Sequence, residues 1–189
     1  MRAKAVRWMA GGLGASLLVG LFAWAAAELP YVNWRAVAAP VQTTPLTIRH
    51  DAKGDGRFLA PRSGRRSHQG IDLLAELDSP IRAIRSGRVV ETGTHRGLGK
   101  FIWIEHRGAL RSLYAHLSRI EVEQGARVRQ GQLIGRVGKT GNARHRWILP
   151  HVHLEVRREG QPINPKQLGL VAKEPAEKLS DEPHAYGGE

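Results

Sequence analysis

Residues 150–155 read Pro150-His151-Val152-His153-Leu154-Glu155. Apolar Val152 and Leu154 alternate with His151, His153 and Glu155, the period of a β-strand with one face on a core. His151 and His153 then leave from the same face, about 7 Å apart along the strand. Imidazoles so placed are either polar residues on a wet sheet face or a metal ligand beside an acid/base group. Working outward, the same kind of pattern recurs from about Ile48 to Leu168. Short β-branched or alternating runs, punctuated by glycine, occupy 81–84, 88–91, 101–105, 110–116, 133–137 and 152–157. Helix periodicity is scarce among them. Regular spacing of such runs predicts an all-β fold, an antiparallel sheet sandwich.

A weak internal repeat agrees. Ser79–Gly93 and Ala126–Gly138 each read as strand, glycine turn, strand. Such pairs resemble the hammerhead hairpins of lipoyl and biotinyl carrier domains, a duplicated hybrid motif. Lys139 is the one loose candidate for a carrier's modifiable lysine, and its surroundings do not match.

The chain has 29 Lys+Arg against 17 Asp+Glu, a formal net charge of +12. Residues 9–170 hold the full +12, because the basic start (Arg2, Lys4, Arg7) and the acidic end cancel. A basic domain is drawn to anionic polymers. Its cations are scattered, with no run of stacking aromatics between them, which argues against a nucleic-acid partner. There is no cysteine, so disulfides, thiolate metal sites and a Cys nucleophile are excluded. Any metal must be held by His and carboxylate, ligands that suit zinc.

Arg2, Lys4 and Arg7 precede an uncharged, mostly apolar run from Trp8 to Ala27. Such a run is long enough to cross the hydrocarbon core as a helix. The basic flank places the N-terminus on the cytoplasmic side and exports the rest to the periplasm or cell envelope. Ala25-Ala26-Ala27 also offers a small-x-small cleavage site. Residues 1–29 are therefore read as a signal anchor or signal peptide, a single N-terminal membrane helix tied to the inner membrane. Residues 30–50, with Pro30, Pro40 and Pro45, read as an extended linker. The folded domain is placed at 51–170, and the acidic, proline-bearing 171–189, with His184, reads as a disordered tail.

His68-Gln69-Gly70-Ile71-Asp72 follows a basic, glycine-bearing loop and reads as a loop entering a strand. It can bend His68 and Asp72 onto one ion, or hold a solvated imidazole and a capping carboxylate. Tyr114-Ala115-His116-Leu117 ends another strand. Together, His68, Asp72 and His153 make a His₂Asp set. Three protein ligands leave zinc a fourth position for water, the arrangement of catalytic sites. His116 and His151 remain free to take the water's proton and to stabilise an oxyanion or protonate a leaving amine. Glu155 shares the strand face and either orients one of the histidines or pairs with Arg157. His50, His95, His106 and His145 are read as incidental.

Over residues 55–168 the chain resembles the lysostaphin/LytM-type zinc metallopeptidases, a family of peptidoglycan endopeptidases. The resemblance rests on ordered signatures: His68-x-Gly70-Ile71-Asp72, Ser79-Pro80-Ile81-x-Ala83, Gly87-x-Val89, Ile102-x-Ile104-x-His106 and Tyr114-Ala115-His116-Leu117. It continues through Gly125-x-x-Val128-x-x-Gly131-Gln132-x-Ile134-Gly135, Gly138-x-Thr140-Gly141, His151-x-His153-x-Glu155-Val156-Arg157 and Asn164-Pro165. It implies that residues 51–170 are a LytM-type metallopeptidase domain. It also implies one Zn2+ held by His68, Asp72 and His153, with His116 and His151 as the catalytic pair. The implied reaction is hydrolysis of amide bonds in the peptide cross-links of peptidoglycan, and the resemblance leaves the bond open. The exported, single-span design without a wall-binding repeat points to the bond between D-Ala and a diamino acid rather than to a glycine bridge. Two other roles fit the same signatures, a catalytically silent activator of wall amidases and an exported zinc peptidase acting on proteins. The sequence leaves open whether a protein activator is a further partner.

The chain departs from the family at Gly141–Pro150, where a short Gly-x-x-Thr-Gly-Pro stretch is usual. Here the stretch is longer, basic and aromatic. Arg144, Arg146 and Trp147 are the expected contacts to substrate glycan or carboxylates.

Overall fold

The computed structural model describes residues 9–175, with helix side chains from Ser16 onward. Alternation along the sequence becomes eleven strands: β1 (His50–Asp51), β2 (Gly54–Asp55), β3 (Gly70–Leu74), β4 (Pro80–Arg82), β5 (Gly87–His95), β6 (Gly99–His106), β7 (Leu110–Ile120), β8 (Arg127–Val128), β9 (Leu133–Val137), β10 (His151–Arg158) and β11 (Gln161–Ile163). The first two form a small sheet of their own, and the other nine share one hydrogen-bonded sheet. β10 is central. It pairs antiparallel with β7 on one side, and with β3 and β11 on the other.

The strands are antiparallel as expected, and nine of them share one continuous hydrogen-bonded sheet rather than two separate ladders. β7 is the cause. Its first residues pair with β6 and β10, and its last three partners lie on β9, beyond a register shift at Leu117/Arg119. A strand that bends at bulges joins two layers without a break in the ladder. The two copies of the sequence repeat pair crosswise, β4 with β9 and β5 with β8.

Val152 and Leu154 of β10 pack with Ile71 and Leu73 of β3 in the main core, all at most 1% exposed. Each such side chain contributes roughly 1.5–3 kcal/mol relative to exposure. The other face of β10 is not wet. His151, His153 and Glu155 are also buried, covered by loops rather than by water.

Three boundary readings change. The segment read as a linker, residues 30–50, is extended but packed from Asn33 on, where the folded unit begins. Val41 and Ile48 are each 1% exposed, Ala38 N–H donates to Ile84 O at 2.8 Å, and Ile48 bridges Leu73. Its prolines keep it out of the main ladder, but its apolar side chains gain by leaving water. The tail likewise begins later than 171. Ala172 is buried, and Ile48 N–H donates to Lys173 O at 3.0 Å. Residues 176–189, including His184, lie outside the described residues. At the other end a helix runs Met9–Glu28. The membrane crossing expected of it is corrected: among the described residues, no helix is long and apolar enough to cross a membrane.

His106 is structural, as its sequence context suggested. It is buried, with Nδ1 3.0 Å from Ser86 O and Nε2 2.8 Å from Ser112 Oγ. Burial pushes its pKa down to about 4. Between that value and the unfolded value near 6.5, the unfolded chain binds the extra proton, so this residue makes stability fall as pH falls. The contribution is on the order of 3 kcal/mol. Thermal melts at pH 7.5 and pH 4.5 should show His106→Asn losing less stability over that range than the parent. An equal loss would show that His106 is already protonated in the fold.

Candidate metal and catalytic site

Register places the site. His153 on β10 lies opposite Asp72 on β3 and Ala115 on β7, so one rung of the sheet brings three chain segments together. His68 enters from the loop before β3, where its N–H donates to Ala60 O at 2.9 Å. Gly70 is required just after it. A Cβ there would stand 2.4 Å from Leu154 O and 2.9 Å from the His153 ring.

His68 Nε2 is 2.9 Å from His153 Nδ1, and Asp72 Oδ1 is 3.1 Å from the first and 2.9 Å from the second. All three residues are buried, and one ligand atom from each falls within a 4.8 Å cluster. His68 Nδ1 lies 2.9 Å from Arg57 O, to which it donates, leaving the Nε2 lone pair directed at the cluster. Three lone-pair-bearing atoms that converge out of water with few protons to share call for a cation. The charges agree. Burial alone would raise the Asp72 carboxyl, but the His151, His153 and His68 imidazoles hold it well below the usual carboxylate range. Burial alone would lower His153, but Asp72 and Glu155 outweigh it and raise the imidazole to about 9. The place where His153 stands favours positive charge. Zinc, bound by imidazole and carboxylate at about 2.0–2.2 Å, fits these donors.

His116 and His151 face the cluster without belonging to it. Their ring centroids are 5.0 Å apart, and the His116 ring is 5.9 Å from that of His153. Each is held by Nδ1 against a carbonyl, His116 on Thr140 O at 3.0 Å and His151 on Leu149 O at 2.7 Å. A neutral ring that donates from Nδ1 presents a basic Nε2. Burial, with the neighbouring His151 and His153, pushes His116 down to about 3. Burial also pushes His151 down to about 4, although Asp72 opposes it. Both are neutral bases at pH 7.

His116 has φ 66°, the left-handed region. Ala115 and His116 together oppose the single residue Phe101 of β6, so His116 sits in a β-bulge. Bulges re-aim side chains, and a non-glycine residue in this conformation costs roughly 1–2 kcal/mol. His116 therefore does not follow the simple alternation of the strand that Tyr114-Ala115-His116-Leu117 was expected to end. The bulge is locked from outside. Thr140 Oγ1 donates to Leu117 O at 2.9 Å and accepts from Lys100 N–H at 3.0 Å.

Glu155 pairs with Arg157 and does not hydrogen-bond a histidine ring. Oε2 is 3.8 Å from His153 Nε2, an electrostatic contact longer than a hydrogen bond, and Oε1 takes Arg157 Nε at 2.5 Å. The loop residues are placed differently from expectation. Arg144 and Arg146 are exposed. Arg146 stacks over the Trp147 ring at 4.6 Å. None of the three lines the cleft beside His68, Asp72 and His153, a space of about 360 Å³ that takes Asn142, Ala143 and Ile148 from this loop.

Four residues of the cleft were missed. Arg49, Lys53 and Arg62 give it a cationic wall, and His95 lines it too. Only the basic loop 62–66 was a signal, and nothing in its pattern singles out Arg62.

Residues 66–165 match Peptidase family M23. The chain is 40% identical over 109 residues to the DD-carboxypeptidase/endopeptidase Mpg of Neisseria meningitidis serogroup B, covering 58% of this chain and 24% of that protein. It is 34% identical over 140 residues to the peptidoglycan DD-endopeptidase ShyC of Vibrio cholerae, covering 73% and 31%. The chain thus spans about a quarter to a third of the length of these relatives. The catalytic domain of the prophage-encoded M23 protein EnpA from Enterococcus faecalis, solved in a mutant form, superposes with a TM-score of 0.54 and 32% identity over 68% of this chain and 95% of that one. Fold, site geometry and sequence agree, and the chain belongs to peptidase family M23.

Proposed function

We propose that this protein is a zinc-dependent endopeptidase that hydrolyses amide bonds in peptidoglycan peptide cross-links. The observation that carries the proposal is the division of the buried cluster. His68, Asp72 and His153 converge on one point, while His116 and His151 face it with free Nε2 atoms. Zinc, when bound, supplies Lewis acidity that lowers the pKa of a water from 15.7 to roughly 7. His116 and His151 are the bases within reach of that water. The one that takes its proton becomes the acid that protonates the leaving amine, and the other, a neutral acceptor at Nε2, orients the water or the amine by accepting its N–H or O–H. A complete set of ligands and bases favours an enzyme over a silent activator.

The bond is the one between D-Ala and a diamino acid. Where the diamino acid is a dicarboxylic one, the carbon next to the scissile nitrogen carries a free carboxylate, and an internal amide of a glycine bridge has none. Arg62 supports this choice. Its guanidinium is half-buried in the cleft, and Asp72 Oδ2, 3.8 Å away, is already occupied by Arg49. Delivery to the wall requires export, for which the basic residues ahead of the helix are the supporting feature. Trp147, Arg144 and Arg146 lie on the rim and meet parts of the polymer farther from the bond.

Purified protein incubated with sacculi should release peptide ends at D-Ala, and a chelator should stop the release. No new ends, or release indifferent to chelator, would sink the enzyme reading, and cleavage of protein substrates alone would shift it to a general peptidase. Trp147→Ala with Arg146→Ala should slow the digestion of sacculi several-fold but not that of a soluble cross-linked dimer. Parental rates on sacculi would remove the rim contacts from the proposal.

A further inference from the structure

Arg49 lies before the residues that match the family, in a segment whose pattern reads as linker, yet its side chain is buried against a metal ligand. Its place is imposed by backbone. Arg49 N–H donates to Asp72 O at 2.8 Å, Gly56 N–H donates to Arg49 O at 2.8 Å, and Asp72 N–H donates to Gly56 O at 2.9 Å. The approach is too close for any side chain on Gly56, where a Cβ would stand 2.8 Å from both Arg49 O and Asp72 Cβ.

From that position the guanidinium reaches in two directions. Nη2 and Nε donate to Asp72 Oδ2 at 2.9 and 3.3 Å, while Oδ1 of the same carboxylate faces His68 and His153. Nη1 lies 2.7 Å from Asp51 Oδ1, an ion-pair contact too bent for a good hydrogen bond. Asp51 Oδ2 in turn accepts Leu149 N–H at 3.0 Å, and Leu149 O accepts from His151 Nδ1 at 2.7 Å. Arg49, Asp51 and Asp72 are all at most 5% exposed. Burying three charges together is a weak source of stability, and replacing them with apolar side chains is often neutral or better. Their geometry, by contrast, joins the two halves of the site.

We propose that Arg49 and Asp51 form a positioning relay that fixes the metal-binding carboxylate of Asp72 and the ring of His151 relative to one another. The proposal rests on the zinc-peptidase reading above. Arg49 occupies the outer oxygen of Asp72, so the inner one can point only at the two imidazoles. Asp51 holds the Leu149 amide, and through it the carbonyl that sets the tautomer and direction of His151. The two ends of the relay should fail differently.

Arg49→Gln, Arg49→Lys and Asp51→Asn would be compared with the parent. The readouts are zinc affinity by competition with a chromophoric chelator, kcat and KM on a soluble cross-linked dimer at saturating zinc, and melting of the metal-free protein. Arg49→Gln should weaken zinc binding roughly 10–100-fold, the usual cost of losing a partner of a ligand. Arg49→Lys should recover only part of it, because an ammonium keeps the charge but not the fork. Asp51→Asn should keep zinc and KM near parental and lower kcat by about 10–100-fold, the effect of a misplaced catalytic group. Its His151 Nδ1–H resonance should also broaden or move. Parental zinc affinity in both Arg49 variants, or parental kcat in Asp51→Asn, would overturn the relay. If Arg49→Gln does not fold, the Arg49→Lys and Asp51→Asn arms decide. A parent that neither binds zinc nor cuts the dimer would instead sink the enzyme reading.

Discussion

His153→Ala should lose zinc and hydrolysis together, while His116→Ala should lose hydrolysis and keep its zinc. The difference follows from which atoms converge. His153 Nδ1 lies 2.9 Å from both His68 Nε2 and Asp72 Oδ1, so its removal leaves only two of the three converging atoms. Two ligands do not make a zinc site of useful affinity. His116 touches none of these atoms closely, and its Nδ1 is engaged by Thr140 O. Its loss removes a general base or acid, worth roughly 10²–10⁴ in rate. Metal content by mass spectrometry and muropeptide release give the two readouts. Zinc lost equally from both variants would overturn this division of roles. His116→Gly should be as inactive as His116→Ala but more stable by roughly 1 kcal/mol, because glycine accepts the left-handed backbone that alanine resists.

Gly138→Ala, which changes no group in the cleft, should nearly abolish activity and destabilise the domain. A Cβ on Gly138 would stand 2.2 Å from Ser118 N, 2.6 Å from Leu117 C and 2.7 Å from His116 O. All three are backbone atoms of the bulge, so no side chain can rotate away. Relief requires moving β7 or β9 by several tenths of an ångström, and overpacking of this kind costs typically 1–3 kcal/mol. The displaced atoms carry His116 itself, so kcat should fall by about 10²-fold for a shift near 1 Å. Chemical denaturation and kcat at saturating zinc would measure the two effects. A parental kcat in the folded variant would show that the bulge absorbs the methyl without moving the imidazole.

The sequence was most legible where chemistry and period coincide. His151 and His153 on one face of an alternating strand, and His68 with Asp72 at the entrance to another, are visible because ligand types and strand period are local properties. The repeat at 79–93 and 126–138 was legible for the same reason. What escaped depends on contacts between distant segments or on backbone atoms. Arg49 is one arginine among many basic residues until register sets it beside Asp72. Thr140 acts through its carbonyl, which carries no residue signature. The left-handed turn at His116 is hidden because histidine gives no warning of it, as a glycine would. The 33–49 segment looked like a linker because its prolines suppress strand pattern, although Val41, Leu46 and Ile48 belong to the core.

The central position of β10 also sets when activity can begin. Synthesis delivers the chain from its N-terminus, and among the described residues β10 is the tenth of eleven strands to arrive. Until residues 151–158 emerge, β3 lacks its main-ladder neighbour, β7 lacks one flank, and His68 and Asp72 have no His153 to meet. Pairings of such long sequence separation form late, since loop closure must precede any gain from contact. A partly delivered chain therefore holds at most two of the three ligands. A site built this way stays incomplete until nearly all of the folded unit has left the ribosome.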